Sequence, residues 1–223
     1  MKRFVIFAGN YGSGKTELSL NTAMELSEKG RTVLVDMDIV NPYFRSAEHG
    51  AELKEKGVDL IAPTYANTTV DVPVIGPEVK SAFNYDFAVF DAGGDPVGSA
   101  VFGSVADQFD QGATDLYYVV NARRPLQRDA SEIMTMMEQI QSRADLKMTG
   151  IINNTNLARE TKTDDLVYGL EVCRELSGLT GLPIVFSSGT EDNIRGFSDR
   201  FPDENVKVIS VFTRPDWLDT TSG

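Results

Sequence analysis

One cysteine, Cys173, and one histidine, His49, are all this chain has of either residue. A disulfide framework, a Cys/His zinc site and a thiolate-held iron–sulfur cluster within a single chain are thereby excluded. Positive charge is scarce as well: 21 Lys and Arg stand against 33 Asp and Glu, for a net charge of -12. That balance opposes nonspecific attraction to DNA or anionic lipid, so a nucleic-acid partner is not expected. No apolar run approaches the roughly 18 residues a membrane helix needs, and Met1-Lys2-Arg3 leads into a short apolar segment without a secretory leader. The expectation is a cytoplasmic protein with no membrane partner. No repeat or low-complexity linker interrupts the chain, whose 223 residues read as a single domain over 1–215 with a frayed tail over 216–223.

What the chain does have is concentrated near its start. Gly9-Asn10-Tyr11-Gly12-Ser13-Gly14-Lys15-Thr16 follows the apolar segment Phe4-Val5-Ile6-Phe7-Ala8 and precedes a helical stretch over 17–29. This is a phosphate-binding loop in its required setting of strand, loop and helix. Gly9, Gly12 and Gly14 leave backbone N–H groups free to converge on phosphate oxygens. Lys15 is placed to bridge the β- and γ-phosphates, and the Thr16 hydroxyl to take a position on Mg²⁺. The helix that follows adds the positive end of its dipole beneath the phosphates.

Apolar runs of strand length recur over 4–8, 32–35, 58–62, 87–90, 116–120, 148–152 and 184–186. Most are continuous rather than alternating, as expected of parallel strands covered on both faces by helices. Between them, Pro125 reads as a first-turn residue, and Ile133, Met136, Met137 and Ile140 repeat as one apolar stripe. Leu166, Leu170 and Cys173 form another, with Thr163 or Asp164 as its cap, which places Cys173 in the core. Gly178, Gly181 and Pro183 close that helix. The fold class is α/β, a P-loop NTPase with a mostly parallel sheet of seven or eight strands and helices on both faces.

Carboxylates narrow the chemistry. Asp36 and Asp38 follow the 32–35 run, where an acidic side chain reaches the Mg²⁺ shell or positions an attacking water. Asp38 is the candidate for that catalytic and metal role, and Asp36 braces the loop. Asp91 ends the 87–90 run and opens Ala92-Gly93-Gly94-Asp95, a Walker B arrangement that accepts a magnesium-bound water. Gly93 and Gly94 supply a hinge and a backbone N–H able to sense the γ-phosphate. Asp95 either ties this loop or caps the helix after it. Asn153-Asn154-Thr155-Asn156 follows the 148–152 run, and an amide such as that of Asn153 pairs with the N6/N1 edge of adenine. Ser187 to Thr190 is a candidate for the other wall of the base pocket.

Together these residues resemble the MinD/ParA-type P-loop NTPases, the group that includes nitrogenase iron protein and the CobQ/CobB-like domains. The likeness spans about residues 2–190 and rests on the phosphate loop, Asp36-x-Asp38, the 91–95 loop and Asn153. It implies ATP and Mg²⁺ as cofactors, with Lys15, Asp38 and Asp91 catalytic and Thr16, Asp38 and Asp91 at the metal. Residues 9–16, Gly94 and Asn153 would hold the nucleotide. It also implies a nucleotide-dependent homodimer and an ATP-hydrolysing switch acting on a partner protein. Gly98 stands in the region of the iron protein's cluster cysteine, so no cluster is expected. One departure is Asn10, where the group carries a signature lysine. Arg45, Arg123 or Arg124 is then the candidate to supply that charge, and Tyr11 to pack over a partner, over the 91–95 loop or within its own monomer. A small-molecule or nucleotide kinase and a scaffold with negligible turnover are the alternative readings. A GTP-driven metallochaperone is disfavoured by the missing Cys/His cluster and the absence of an Asn-Lys-x-Asp motif.

Overall fold

All described strands run the same way. The computed structural model describes residues 1–37, 50–62 and 77–212. Within them β1 (Phe4–Ala8), β2 (Thr32–Met37), β3 (Val58–Ile61), β4 (Phe87–Ala92), β5 (Thr114–Val120), β6 (Gly150–Asn153), β7 (Ile184–Gly189) and β8 (Val206–Val208) form one sheet. It has eight strands in the order β3-β2-β4-β1-β5-β6-β7-β8. Every pairing is parallel. The expected parallel sheet is therefore present, with β8 as an added edge strand and β6 starting two residues later than its apolar run suggests.

Continuous hydrophobicity in the strands has the anticipated cause, because both faces are covered. Phe4, Ile6 and Ala8 of β1 enter one core, and Val5 and Phe7 enter the other. The first core lies under α4 (Pro96–Gly103), α5 (Ala130–Ala144) and α6 (Thr163–Thr180). Here Phe4, Phe83, Phe90, Phe102 and Phe109 meet mainly edge to face, the arrangement ring quadrupoles favour. The second core lies under α1 (Lys15–Ser27), with Leu53 of α2 (Gly50–Glu55) packed into it. A further short helix, α3 (Pro77–Ser81), precedes β4, and α7 (Glu191–Arg200) packs Ile194 and Phe197 on Leu166 and Leu170.

Helix ends refine the expected boundaries. The first turn of α5 is not at Pro125: Asp129 caps the helix, its carboxylate accepting from the N–H groups of Ser131 at 2.8 Å and Glu132 at 3.2 Å. Residues 125–128 are left as a turn. Ile133, Met137 and Ile140 are buried, and Met134 and Met136 pack against the same core. For α6 the cap is Lys162, whose N–H donates to the Asp165 carboxylate at 2.8 Å, in place of Thr163 or Asp164. Gly181 ends α6 in the left-handed conformation, and Cys173 is fully buried with its thiol pushed up by desolvation, which keeps it inert.

The last described segment crosses back to α1. Ser210 and Asn21 exchange hydrogen bonds of 2.8 Å, and the Phe212 N–H donates to the Glu17 carboxylate. Lys207 reaches Glu25 at 2.9 Å and the Thr22 hydroxyl at 3.1 Å. Lys207 first, and Lys29 second, hold the Glu25 carboxyl down at about 2. A carboxyl depressed in the folded state stabilises above its unfolded value and loses that contribution as pH falls toward the folded one. Glu25→Gln should therefore remove a stability component present above about pH 4.5 and lost toward pH 2. Because the Glu25 side chain is 46% exposed, screening limits its effect at neutral pH to below about 1 kcal/mol. Urea unfolding from pH 7 to 2.5 measures this. Parallel pH curves for wild type and variant would show that the ion pair contributes nothing.

Candidate functional site

The carboxyl ends of β1, β4, β5 and β6 converge on the loop over 9–16. Two of its glycines are required by geometry. Gly9 has φ +145°, and a Cβ there would lie 2.5 Å from the Val119 carbonyl oxygen. Gly14, which caps α1, has φ +89°, and its Cβ would fall 2.2 Å from Nδ2 of Asn154. The loop is thus wedged between β1 and its neighbours, with α1 springing from its end as the sequence implies.

Lys15 curls over the loop and is only 7% exposed, its Nζ donating to the Asn10 carbonyl at 3.1 Å. Thr16 Oγ1 donates to Asp91 Oδ2 at 2.6 Å. Asp36 lies inside β2 rather than beyond it, paired in register with Asp91 of β4. Both acids are buried on the α1 side of the sheet, since Val89 of β4 and Leu34 of β2 face that core. Asp38 lies outside the described residues, as do Arg45, His49 and the tail 216–223.

A hydroxyl and a carboxylate in contact, with a second carboxylate one strand away, form the hard-oxygen environment that Mg²⁺ takes. Among the described residues no group of three or more His, Cys, Asp or Glu could hold a metal ion. Mg²⁺ at a phosphate is bound chiefly by phosphates and waters with one or two protein oxygens. Thr16 and Asp91 therefore fit Mg²⁺, with Asp36 adjoining them.

Gly94 places the 91–95 loop directly on the phosphate loop. A Cβ at Gly94 would stand 2.9 Å from the Tyr11 nitrogen and 3.0 Å from its Cα, so the two backbones touch. Gly93 beside it is buried. The Tyr11 side chain is 71% exposed.

The opposite wall is a set of amides. Asn154 donates to the Ser13 carbonyl at 2.7 Å and accepts from the Ser188 hydroxyl at 2.9 Å. Asn121, at the end of β5, donates to the Asn156 carbonyl at 3.1 Å and more distantly, at 3.5 Å, to that of Gly12. Tyr118 donates a short hydrogen bond to Asn10 Oδ1, and burial raises the phenol above its ordinary value, so it stays a donor.

Two of the expected site residues face the interior. Asn10, at the position of the group's signature lysine, is buried and turned into the sheet end by Tyr118. Asn153, read as the base-reading amide, is fully buried with its own internal partners. Its Nδ2 donates to the Leu166 carbonyl at 2.9 Å and Ser187 Oγ at 3.1 Å, and its oxygen accepts from the Thr155 N–H at 3.2 Å. Asn153 pins α6 to the sheet. Ser187 and Ser188, also buried, belong to the same framework. The amides that reach the loop backbone are Asn154, which the sequence offered only as part of the 153–156 run, and Asn121, which sequence reasoning passed over. Their only sequence signal was position just beyond an apolar run.

No family model matches the chain, and no curated protein matches it in sequence. Solved structures do. FtsY from Mycoplasma mycoides is 18% identical over 90% of this chain and 67% of its own, with a TM-score of 0.55. FlhF complexed with GTP/Mg(2+) is 14% identical over 86% of this chain and 67% of its own, with a TM-score of 0.54. The signal recognition particle receptor FtsY from Elizabethkingia anophelis in complex with GDP is 14% identical over 86% and 59%, with a TM-score of 0.51. The chain spans 59–67% of the length of these proteins. At such identities the likeness shows the fold: a parallel-sheet P-loop NTPase with helices on both faces.

These neighbours correct the expected family. The fold matches described above are FtsY and FlhF rather than MinD/ParA-type proteins, and the nucleotides named with two of them are GTP and GDP. The readings as an ATP-driven MinD/ParA switch, as an ATPase and as a binder of ATP rested on that resemblance and fall with it. The buried Asn153 is the physical counterpart, since its amide is spent on internal partners and not turned to a base. No helix among the described residues is long and apolar enough to cross a membrane.

The framework role of Asn154 is testable. Asn154→Ala leaves the buried Ser13 carbonyl without its donor, which should cost about 1–3 kcal/mol of stability. It should also speed amide exchange over residues 9–15. Wild-type exchange there, in a variant that still folds, would show that other contacts hold the loop.

Proposed function

We propose that this chain is a Mg²⁺-dependent GTP-binding and GTP-hydrolysing switch that acts through a protein partner. The observation that carries the reading is the backbone contact between Gly94 and Tyr11, which joins the Asp91 loop to the phosphate loop. The likeness to FlhF with GTP/Mg(2+) and to FtsY with GDP supports guanine as the base.

The residues have distinct tasks. Backbone N–H groups over 11–16 and the amino end of α1 bind phosphate oxygens. Lys15 exchanges the Asn10 carbonyl for the β/γ oxygens, offsetting the charge that develops there. Thr16 and Asp91 hold Mg²⁺, which when bound polarises the phosphoryl oxygens. Asp38 is proposed to orient the attacking water. Because Gly94 abuts Tyr11, a γ-phosphate filling the loop presses on residues 91–95, and its loss lets them relax. The face that feels this carries exposed Tyr11, Leu126 and Leu157, the surface offered to a partner, of which a second copy of the chain is the simplest.

Competition against a fluorescent GDP analogue tests the nucleotide. GTP and GDP should displace it, and adenine nucleotides should do so at least about tenfold less well, a difference of about 1.4 kcal/mol. Equal displacement by both bases would remove the guanine assignment.

Lys15→Ala should lower phosphate release from GTP by about a hundredfold or more, about 2.7 kcal/mol of lost transition-state stabilisation. Turnover near wild type in a folded variant would mean that the phosphate loop is not where hydrolysis occurs.

A further inference from the structure

Arg124 differs from the other cations beside the phosphate loop. Lys15 is folded onto Asn10. Arg123 is committed to its own wall, its Nε 2.7 Å from Asp165 Oδ1 and its guanidinium 4.5 Å from the Tyr168 ring centre. The Arg124 side chain is exposed and makes no hydrogen bond or ion pair among the described residues. It lies instead against Gly12. A Cβ built there would stand 3.3 Å from Nε, 3.6 Å from Cδ and 3.7 Å from Cζ of Arg124, so the side chain occupies the space beside Gly12.

The segment over 121–127 holds it there. The Asn121 N–H donates to Gln127 Oε1 at 2.9 Å, and the Arg124 N–H donates to the Asn121 carbonyl at 2.9 Å. Leu126 closes the turn at φ +61°, an unfavourable conformation for a bulky L-residue, which the surrounding bonds enforce. Asn121 then leans toward the Gly12 carbonyl at 3.5 Å. A turn tied to the phosphate loop, with an unpaired guanidinium laid beside it, is organised before any ligand arrives.

We propose that Arg124 is a phosphate-contacting residue supplied by the chain itself. Its planar fork meets the diphosphate from the Gly12 side while Lys15 and the loop amides hold the other side. The proposal rests on reading the loop as a nucleotide site, but neither on the base nor on hydrolysis.

Calorimetric titration of GDP, and in parallel of inorganic pyrophosphate, into wild type, Arg124→Ala, Arg124→Lys and Arg128→Ala provides the test. Arg128 is an exposed neighbour of like charge and serves as the control. Arg124→Ala should weaken both probes about tenfold, the scale of one charge-assisted hydrogen bond. Arg124→Lys, which keeps charge and loses the fork, should weaken them less, and Arg128→Ala less than about twofold. Unchanged melting without ligand separates this loss from a folding defect. Wild-type affinity in Arg124→Ala, or an equal loss in Arg128→Ala, overturns the proposal. Wild type binding pyrophosphate in an Arg124-dependent way but not GDP would sink the guanine reading and leave this one standing. Wild type binding neither probe overturns both.

Discussion

The loop over 9–16 must turn from strand to helix without pairing to anything regular, yet it is largely buried. Its backbone groups are therefore satisfied in part by side chains. Asn154 meets the Ser13 carbonyl, Lys15 meets that of Asn10, and Tyr118 fixes the Asn10 side chain. Each donor comes from the loop itself or from the end of β5 or β6. The order β4-β1-β5-β6 is what puts those ends beside the loop. Removing Asn154 leaves the buried Ser13 carbonyl unmatched, so the rigidity of the phosphate cradle depends on that neighbouring amide.

That arrangement divides the site. On the β5 and β6 side, contacts are amide to carbonyl and fixed. On the β4 side, they are a hydroxyl to a carboxylate and a glycine backbone against another backbone. The first kind tolerates no change of occupant without breaking buried hydrogen bonds. The second is the kind that a cation or a γ-phosphate rearranges, because Thr16 and Asp91 lose little by exchanging each other for Mg²⁺. Capacity for switching is therefore concentrated beside Asp91 and Gly94, and rigidity beside Asn121 and Asn154.

Much of this was legible in the sequence, for physical reasons. The phosphate loop is local: its glycines and Lys15 act within a few residues, so order along the chain carries its geometry. Buried parallel strands appear as apolar runs because both faces need apolar residues, and each expected run became a strand. The same property hides orientation. Ile151 and Ile152 are both buried, on opposite faces of β6, so nothing in that run reveals whether Asn153 or Asn154 faces the phosphate loop. β8 was missed because Val206 and Val208 are exposed edge residues in a strand of three. The adjacency of Asp36 and Asp91 follows from β2 lying next to β4, a non-local fact no spacing contains. The setting of Asn10 is hidden for a related reason: Tyr118, 108 residues away, turns its side chain inward.

Charge completes the picture. A chain of net charge -12 repels an anionic ligand at long range. Screening over about 8–10 Å makes distant acids matter little beside the cations at the site. Arg123, Arg124 and Arg128 all follow β5, and Arg159 follows β6, at the carboxyl edge where the phosphate loop opens. The amino end of α1 and Lys15 point at the same place. The global acidity disfavours polyanions such as nucleic acid, which must contact a wide surface. A compact phosphate group feels chiefly the local groups, among which Lys15, Arg124 and the amino end of α1 attract it.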